Sequence, residues 1–157
     1  TMINTAIGKN RLHWPLVSKQ GCLNCHTPHA SAQTALLKAP KVQLCGSCHE
    51  DTIARQERAQ DKHNPVKEGN CNTCHLPHSS DNTFLLRKPL IDQCATCHDW
   101  QRHSTHPLGE KVRDPRNKNL AVECLSCHSA HGTAYKKMLL TEAVSELCTQ
   151  CHAEHRR

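Results

Sequence analysis

The chain's capacity for chemistry lies in one short arrangement and its copies, first met as Cys22-Leu23-Asn24-Cys25-His26. Two thiols three residues apart, followed at once by an imidazole, form the attachment site of a c-type haem. The thiols add to the haem vinyl groups as thioethers, and the adjacent histidine becomes the proximal ligand of the iron. The same pentapeptide returns as Cys45-Gly46-Ser47-Cys48-His49, Cys71-Asn72-Thr73-Cys74-His75 and Cys94-Ala95-Thr96-Cys97-His98. It returns again as Cys124-Leu125-Ser126-Cys127-His128 and Cys148-Thr149-Gln150-Cys151-His152. Six copies use all 12 cysteines, so six covalently bound haem c groups are predicted.

A lone C-x-x-C-H says little, because zinc sites and thiol redox motifs also use C-x-x-C. Here a histidine follows every copy, although histidine is only 14 of 157 residues. From this composition alone, chance would give six such hits with a probability on the order of one in a million. Zinc remains the rival, because the spans from Cys25 to Cys45 and from Cys74 to Cys94 fit a four-cysteine site. A zinc ribbon, however, has no use for a histidine after each pair. Six C-x-x-C disulfides would each close only a very short loop and constrain little.

Fourteen histidines less the six proximal ones leave His13, His29, His63, His78, His103, His106, His131 and His155. The two methionines, Met2 and Met138, recur in no repeat, so histidine is expected on both faces of each iron. His29, His78 and His131 each follow a proximal histidine by three residues. They are too close along the chain to reach round the same haem, and the simplest target is the second haem of their own repeat. His13, His63 and His106 precede the first site of each repeat, close to Pro15, Pro65 and Pro107, and are assigned to the first haem. His103 is an alternative to His106. His155 is either a spare or a ligand to a haem in another subunit.

The elements that must position these residues come in three repeats. A lead-in, 1–12, is followed by two-haem repeats at 13–50, 63–99 and 106–157, joined by a linker helix at 51–62 and a linker at 100–105. All belong to one haem-cored domain. A leucine pair precedes each second site, at Leu36-Leu37, Leu85-Leu86 and Leu139-Leu140, with one extra residue in the third repeat expected between His131 and Leu139. The segment around Ile53–Ala59 is helical in composition, with Asp51 or Thr52 as its N-cap. Arg113 to Asn119 reads as an exposed loop, and Thr141 to His155 as a helix carrying the last site.

Only four residues are aromatic (Trp14, Phe84, Trp100 and Tyr135), and the mean hydropathy is -0.68. With about 26 residues for each haem, the macrocycles must supply most of the apolar interior. The expected fold is mainly irregular, with short α-helices, almost no β-sheet, and the chain wrapped around a haem row. The apo-chain is expected to be unfolded. The formal charge of +6 falls to roughly zero with six ferric haems and roughly -6 with six ferrous ones, if all propionates ionise. Basicity is therefore no argument for nucleic acid, and no RNA-binding motif is present. Lys38, Lys41, Arg87, Lys88, Lys136 and Lys137 lie near the leucine pairs, where they could pair with propionates or simply face solvent. Trp14 and Trp100 either pack on haem faces or lie at contacts.

The site pairs, the C-x-x-C-H-x-x-H extensions from Cys22 to His29, Cys71 to His78 and Cys124 to His131, the leucine pairs and the histidine–proline openings resemble the doubled C-x-x-C-H family of multihaem cytochromes c. The resemblance covers about 13–152. It implies bis-histidine haem c, linear haem chains and electron transfer in the periplasm or outside the cell. It implies redox partners such as other cytochromes, quinol-linked proteins or outer-membrane conduits, and it allows self-association into a haem wire. No apolar segment long enough to cross a membrane is present, and a targeting segment is expected to have been removed or to lie outside this sequence. Bis-histidine irons are closed to substrate, so no enzymatic activity is expected. A nitrite or hydroxylamine type of oxidoreductase would need one open iron, and the sequence has no C-x-x-C-K site.

Overall fold

A computed structural model describes residues 2–99, 106 and 108–155, with only the backbone of Met2 and Ala6. Trp100, His103, the linker at 100–105 and Pro107 lie outside the described residues. Short elements dominate. The α-helices are α1 (Met2–Ile7), α2 (Lys41–Gly46), α3 (Glu50–Arg58), α4 (Asn64–Lys67), α5 (Leu90–Ala95) and α6 (Val144–Thr149). Between them lie single 3-10 turns. No described helix is long and apolar enough to cross a membrane.

Two compact units emerge, and they cut across the repeats: 1–53 with 65–89, and 54–64 with 90–157. In the first, β1 (Arg11–Leu12) pairs antiparallel with β2 (Ser79–Ser80). In the second, β3 (Gly109–Asp114) and β4 (Asn117–Val122) form a hairpin. The exposed loop expected over 113–119 is instead the tip of this hairpin. Pro115 and Arg116 make its turn, and the Asp114 carboxylate accepts from the Arg116 backbone N–H at 2.9 Å.

The longest helix, α3, supports itself locally. Glu50 and Asp51 lie in its first turn and Arg55 and Arg58 in its last, each sign opposing the helix dipole. Lys62 Nζ donates to the Glu57 carbonyl at 3.1 Å near its C-terminal end. The expected helix from Thr141 onward is shorter than read: α6 covers Val144–Thr149, and a 3-10 turn follows at Ala153–His155.

The polypeptide supplies almost no core. Among the described residues only Leu86 and Val122 are buried hydrophobics, whereas Trp14, Phe84 and Ile3 are 73%, 70% and 66% exposed. Fixing a backbone residue costs about 1–2 kcal/mol. So small a buried apolar area cannot offset that cost, and the apolar surface of bound haem is what the fold requires.

Candidate haem sites

Each first site is built on a 3-10 turn, at Gly21–Asn24, Cys71–Thr73 and Cys124–Ser126. The proximal histidine follows directly, its N–H donating to the carbonyl of the first cysteine at 3.0 Å in all three sites. The chain then turns back. Residues nine positions after each proximal histidine (Ala35, Phe84 and Lys137) adopt positive φ, as do their successors Leu36, Leu85 and Met138. This turn delivers a carbonyl to each imidazole: His26 Nδ1 donates to Ala35 O at 2.7 Å, His75 Nδ1 to Phe84 O at 2.8 Å, and His128 Nδ1 to Lys137 O at 2.9 Å. The bond fixes the tautomer and leaves Nε2 as the metal-binding lone pair.

The same turn corrects the alignment of the third repeat. His26 bridges Leu37, His75 bridges Leu86, and His128 bridges Leu139. Met138-Leu139 therefore stands where Leu36-Leu37 and Leu85-Leu86 stand, and the extra residue comes after Leu139. The side-by-side leucines Leu139-Leu140 hid this one-residue shift.

Each second site hangs from the end of a six-residue helix: α2 ends at Gly46, α5 at Ala95 and α6 at Thr149. His49, His98 and His152 donate their backbone N–H to Cys45 O, Cys94 O and Cys148 O at 2.9, 3.0 and 2.9 Å.

Histidines face one another in pairs. His13 stacks on His49 with ring centroids 6.0 Å apart, and His63 on His98 at 5.7 Å. His26 faces His78 at 6.0 Å, and His106 faces His152 at 6.4 Å. Two imidazoles bound on opposite faces of one metal ion, each at about 2 Å, have centroids roughly 6 Å apart. The Nε2 atoms of His63 and His98 point at each other, 3.5 Å apart. Burial, then the neighbouring His98, holds the His63 ring below its ordinary pKa. Burial does the same for His78, followed by His26 and His13. Neutral imidazole is the form that binds metal. With two thiols beside each proximal ring, the donor set fits covalent haem. Among the described residues no group of three or more histidine, cysteine, aspartate or glutamate side chains is placed to hold a metal ion.

The pairing differs from the sequence expectation. His13, His63 and His106 meet the second-site histidine of their repeats, not the first. His78 meets the first-site His26 of the preceding repeat, not the second site of its own. The cause is the strand contact: His13 donates its N–H to His78 O at 2.9 Å and its Nδ1 to Pro77 O at 2.8 Å. That contact holds His78 against the repeat before it. Among the described residues His29 makes no ring contact. A further histidine was missed as a member of the pattern. His155 lies three residues after His152, the same spacing as His29 after His26, and its ring is 6.1 Å from that of His152. Both rings share Glu154 Oε1, at 3.3 and 3.7 Å.

Within each compact unit, neighbouring sites approach one another through their thiols. A hydrogen bond from Cys71 pushes the Cys45 thiol up, and the same bond draws Cys71 down to about 6. A bond from Cys94 likewise draws Cys124 down to about 7. Cys25 is raised by burial and then by Cys48; Cys127 is raised by burial, with Cys151 and Cys148 adding to the shift. Lys41 and Arg87 line a cleft with Asn70, Asn72 and Thr73 beside the first site of the second repeat.

The family described as the doubled CXXCH motif matches the chain three times, over residues 13–54, 63–103 and 117–157. The chain belongs to this family. It is a multihaem c-type cytochrome, and its motifs bind haem covalently through cysteine and iron through histidine. No curated protein matches this doubled CXXCH cytochrome.

In this cytochrome Arg116, read from the sequence as part of a loop, takes a structural role. Its guanidinium bonds Asp114 through Nη2 at 2.6 Å, Gln150 Oε1 at 2.7 Å and the Ser126 carbonyl at 3.4 Å. It thereby joins the hairpin tip to residues of both sites in the third repeat. The Asp114 carboxyl, 4% exposed, is held down at about 2 by that bond.

Proposed function

We propose that the chain carries six haems, each iron closed between two histidines, and passes single electrons along them between redox proteins of the periplasm or cell exterior. The observation that carries this reading is the facing of histidine pairs at 5.7 to 6.4 Å: His13–His49, His63–His98, His26–His78 and His106–His152. Bound haem supplies one-electron chemistry. A closed iron leaves no position for substrate, so the protein acts as a carrier, not an enzyme. Histidine on both faces also sets a lower potential than histidine with methionine.

The chain's own part is spacing and tuning. Thiol contacts between Cys45 and Cys71, and between Cys94 and Cys124, support close neighbours in sequence order. Lys41 and Arg87, which line one cleft, would pair with haem propionates. Covalent attachment occurs outside the cytoplasm, which favours a periplasmic or extracellular location. Partners would be other cytochromes, quinol-linked proteins or outer-membrane conduits.

The test is the visible spectrum of the air-oxidised, dithionite-reduced and carbon-monoxide-treated protein, with haem quantified per chain. Six haems, sharp low-spin bands and no response to carbon monoxide are expected. A carbon-monoxide shift in one haem of six would point to an open iron and an oxidoreductase.

A further inference from the structure

The three first sites are built alike, and they differ at one position. Lys38 N donates to Cys25 O at 2.9 Å, Arg87 N to Cys74 O at 2.9 Å, and Leu140 N to Cys127 O at 3.1 Å. This shared bond makes Lys38, Arg87 and Leu140 equivalent. Each follows the leucine that bridges the proximal histidine: Leu37, Leu86 or Leu139. The first two repeats thus set a cation against the second cysteine of the first site. The third sets an apolar side chain there, 41% exposed. The two cations act on the attachment loop. Arg87 Nη1 donates to the Asn72 carbonyl, between Cys71 and Cys74, at 3.2 Å. The Lys38 ammonium opposes the effect of burial and of Cys48 on the Cys25 thiol.

The third repeat supplies a cation from elsewhere. Its run from His106 to Cys124 is longer than those from His13 to Cys22 and from His63 to Cys71, and the extra length is β3 and β4. The turn between these strands carries Arg116. Its Nη2 donates to the Ser126 carbonyl, between Cys124 and Cys127, at 3.4 Å. Its Nη1 donates to Gln150 Oε1, between Cys148 and Cys151, at 2.7 Å. One guanidinium is therefore held against the attachment loops of both sites. The bond to Asp114 keeps it protonated, and Cys151 and Cys127 add to that hold. At Cys127 burial raises the thiol, Arg116 opposes it, and Asp114 adds less than Arg116 removes. The guanidinium thus outweighs its own partner at this loop. A tether for the hairpin needs only hydrogen bonds, which a neutral amide could give. What recurs in all three repeats is a positive charge at the same loop, on side chains of different origin.

We propose that Arg116 takes over in the third repeat the place that Lys38 and Arg87 hold in the others, as a fixed cation that raises the reduction potential of both haems of that repeat. A haem becomes more negative by one charge on reduction, so a cation beside it favours the ferrous form. A partly buried charge is screened by salt less than an exposed one. Arg116 meets both loops of its repeat, so its charge acts on two haems. The proposal deepens the carrier reading and rests on it.

The test is a redox titration of the fully haem-loaded chain, followed in the visible spectrum, beside three variants: Arg116→Gln, Arg116→Gln with Leu140→Lys, and Asp114→Asn. Glutamine keeps a hydrogen-bonding side chain and removes the charge. Two haems of six are expected to titrate lower, their ferrous-to-ferric ratio at a fixed applied potential falling about threefold or more. Leu140→Lys places a cation where Lys38 stands in the first repeat and does not restore the tie to the hairpin. It should bring back the first-site haem alone. Asp114→Asn leaves Arg116 and removes its counter-charge, so the same two haems should shift upward. Unchanged potentials in Arg116→Gln at six haems per chain overturn the proposal. So does a fall that Leu140→Lys leaves unrelieved, since the hairpin tie alone would then explain it. Should Arg116→Gln lose haem, Asp114→Asn decides, and the absence of an upward shift overturns the proposal. Absence of haem from the native chain would refute the carrier reading as well.

Discussion

The two sites within a repeat solve one problem by different means. At a first site the imidazole is set by the backbone: a positive-φ turn brings the carbonyl of Ala35, Phe84 or Lys137 to Nδ1. At a second site the histidine hangs from a helix end, and the opposing ring orients it, as His13 does for His49. The source of the opposing ring differs too. Second sites take it from their own repeat's opening stretch. The first site at His26 takes it from the following repeat. Second sites therefore close a repeat upon itself, while the first site at His26 fastens the first repeat to the second.

The largest effect should come from withholding haem altogether. With Leu86 and Val122 as the buried hydrophobics among the described residues, the apo-chain should lack cooperative unfolding and a fixed fold. Circular dichroism and amide exchange of chain made without haem attachment would check this. A cooperatively folded apo-chain would mean that the first-site turns hold themselves without the macrocycle.

A sharper break separates the two kinds of site. His78→Ala and His13→Ala should each open one iron, giving a carbon-monoxide shift in one haem of six. His78→Ala removes the ligand that joins two repeats. It should raise proteolysis around 11–13 and 79–80 while leaving the His49 site closed. His13→Ala should open the His49 iron instead. The assignment made from proximity along the chain would predict the opposite, with His13 serving His26.

That reversal marks where sequence reasoning stopped. The C-x-x-C-H sites, the threefold repeat and the spare histidines were legible because cysteine and histidine have few other uses in such numbers. Which spare faced which haem was not, because chain separation says nothing of which face a ring approaches. The contact that decides it, Arg11–Leu12 on Ser79–Ser80, is two residues long and has no hydrophobic alternation to announce it. The positive-φ turns were hidden for a related reason: alanine, phenylalanine and lysine occupy positions where glycine would have been the signal. The hairpin was hidden because strands such as Glu110-Lys111 carry charge rather than β-branched residues.

A smaller effect concerns the third repeat, where Arg116 ties the hairpin to both of its sites. Arg116→Ala should cost about 1–2 kcal/mol, reduced from a fully buried value because the guanidinium is partly exposed. The pH dependence follows from Asp114. Its folded pKa, about 2, lies below the unfolded value near 3.9. Its stabilisation is therefore fully present above about pH 4 and fades as pH falls toward 2. Thermal unfolding between those limits should show a slope in the native protein that Asp114→Asn flattens.

The smallest effect carries the comparison to a single methyl group. Ala35, in a first-site turn, has φ 56° and an exposed side chain. An L-residue in that left-handed conformation costs about 1–2 kcal/mol, which glycine does not incur. Against this stands glycine's larger loss of chain entropy on folding, roughly 0.5–1 kcal/mol. Ala35→Gly should thus stabilise by up to about 1 kcal/mol, without disturbing the carbonyl that holds His26. Ala95 closes α5 at a second site, in ordinary helical backbone. There glycine brings the entropy loss and relieves nothing, so Ala95→Gly should destabilise by about 0.5–1 kcal/mol. Opposite signs for the same substitution, read by thermal melts of the two holoproteins, would establish that first sites are set by a strained turn and second sites by a relaxed helix. Equal signs would collapse that distinction into one kind of site.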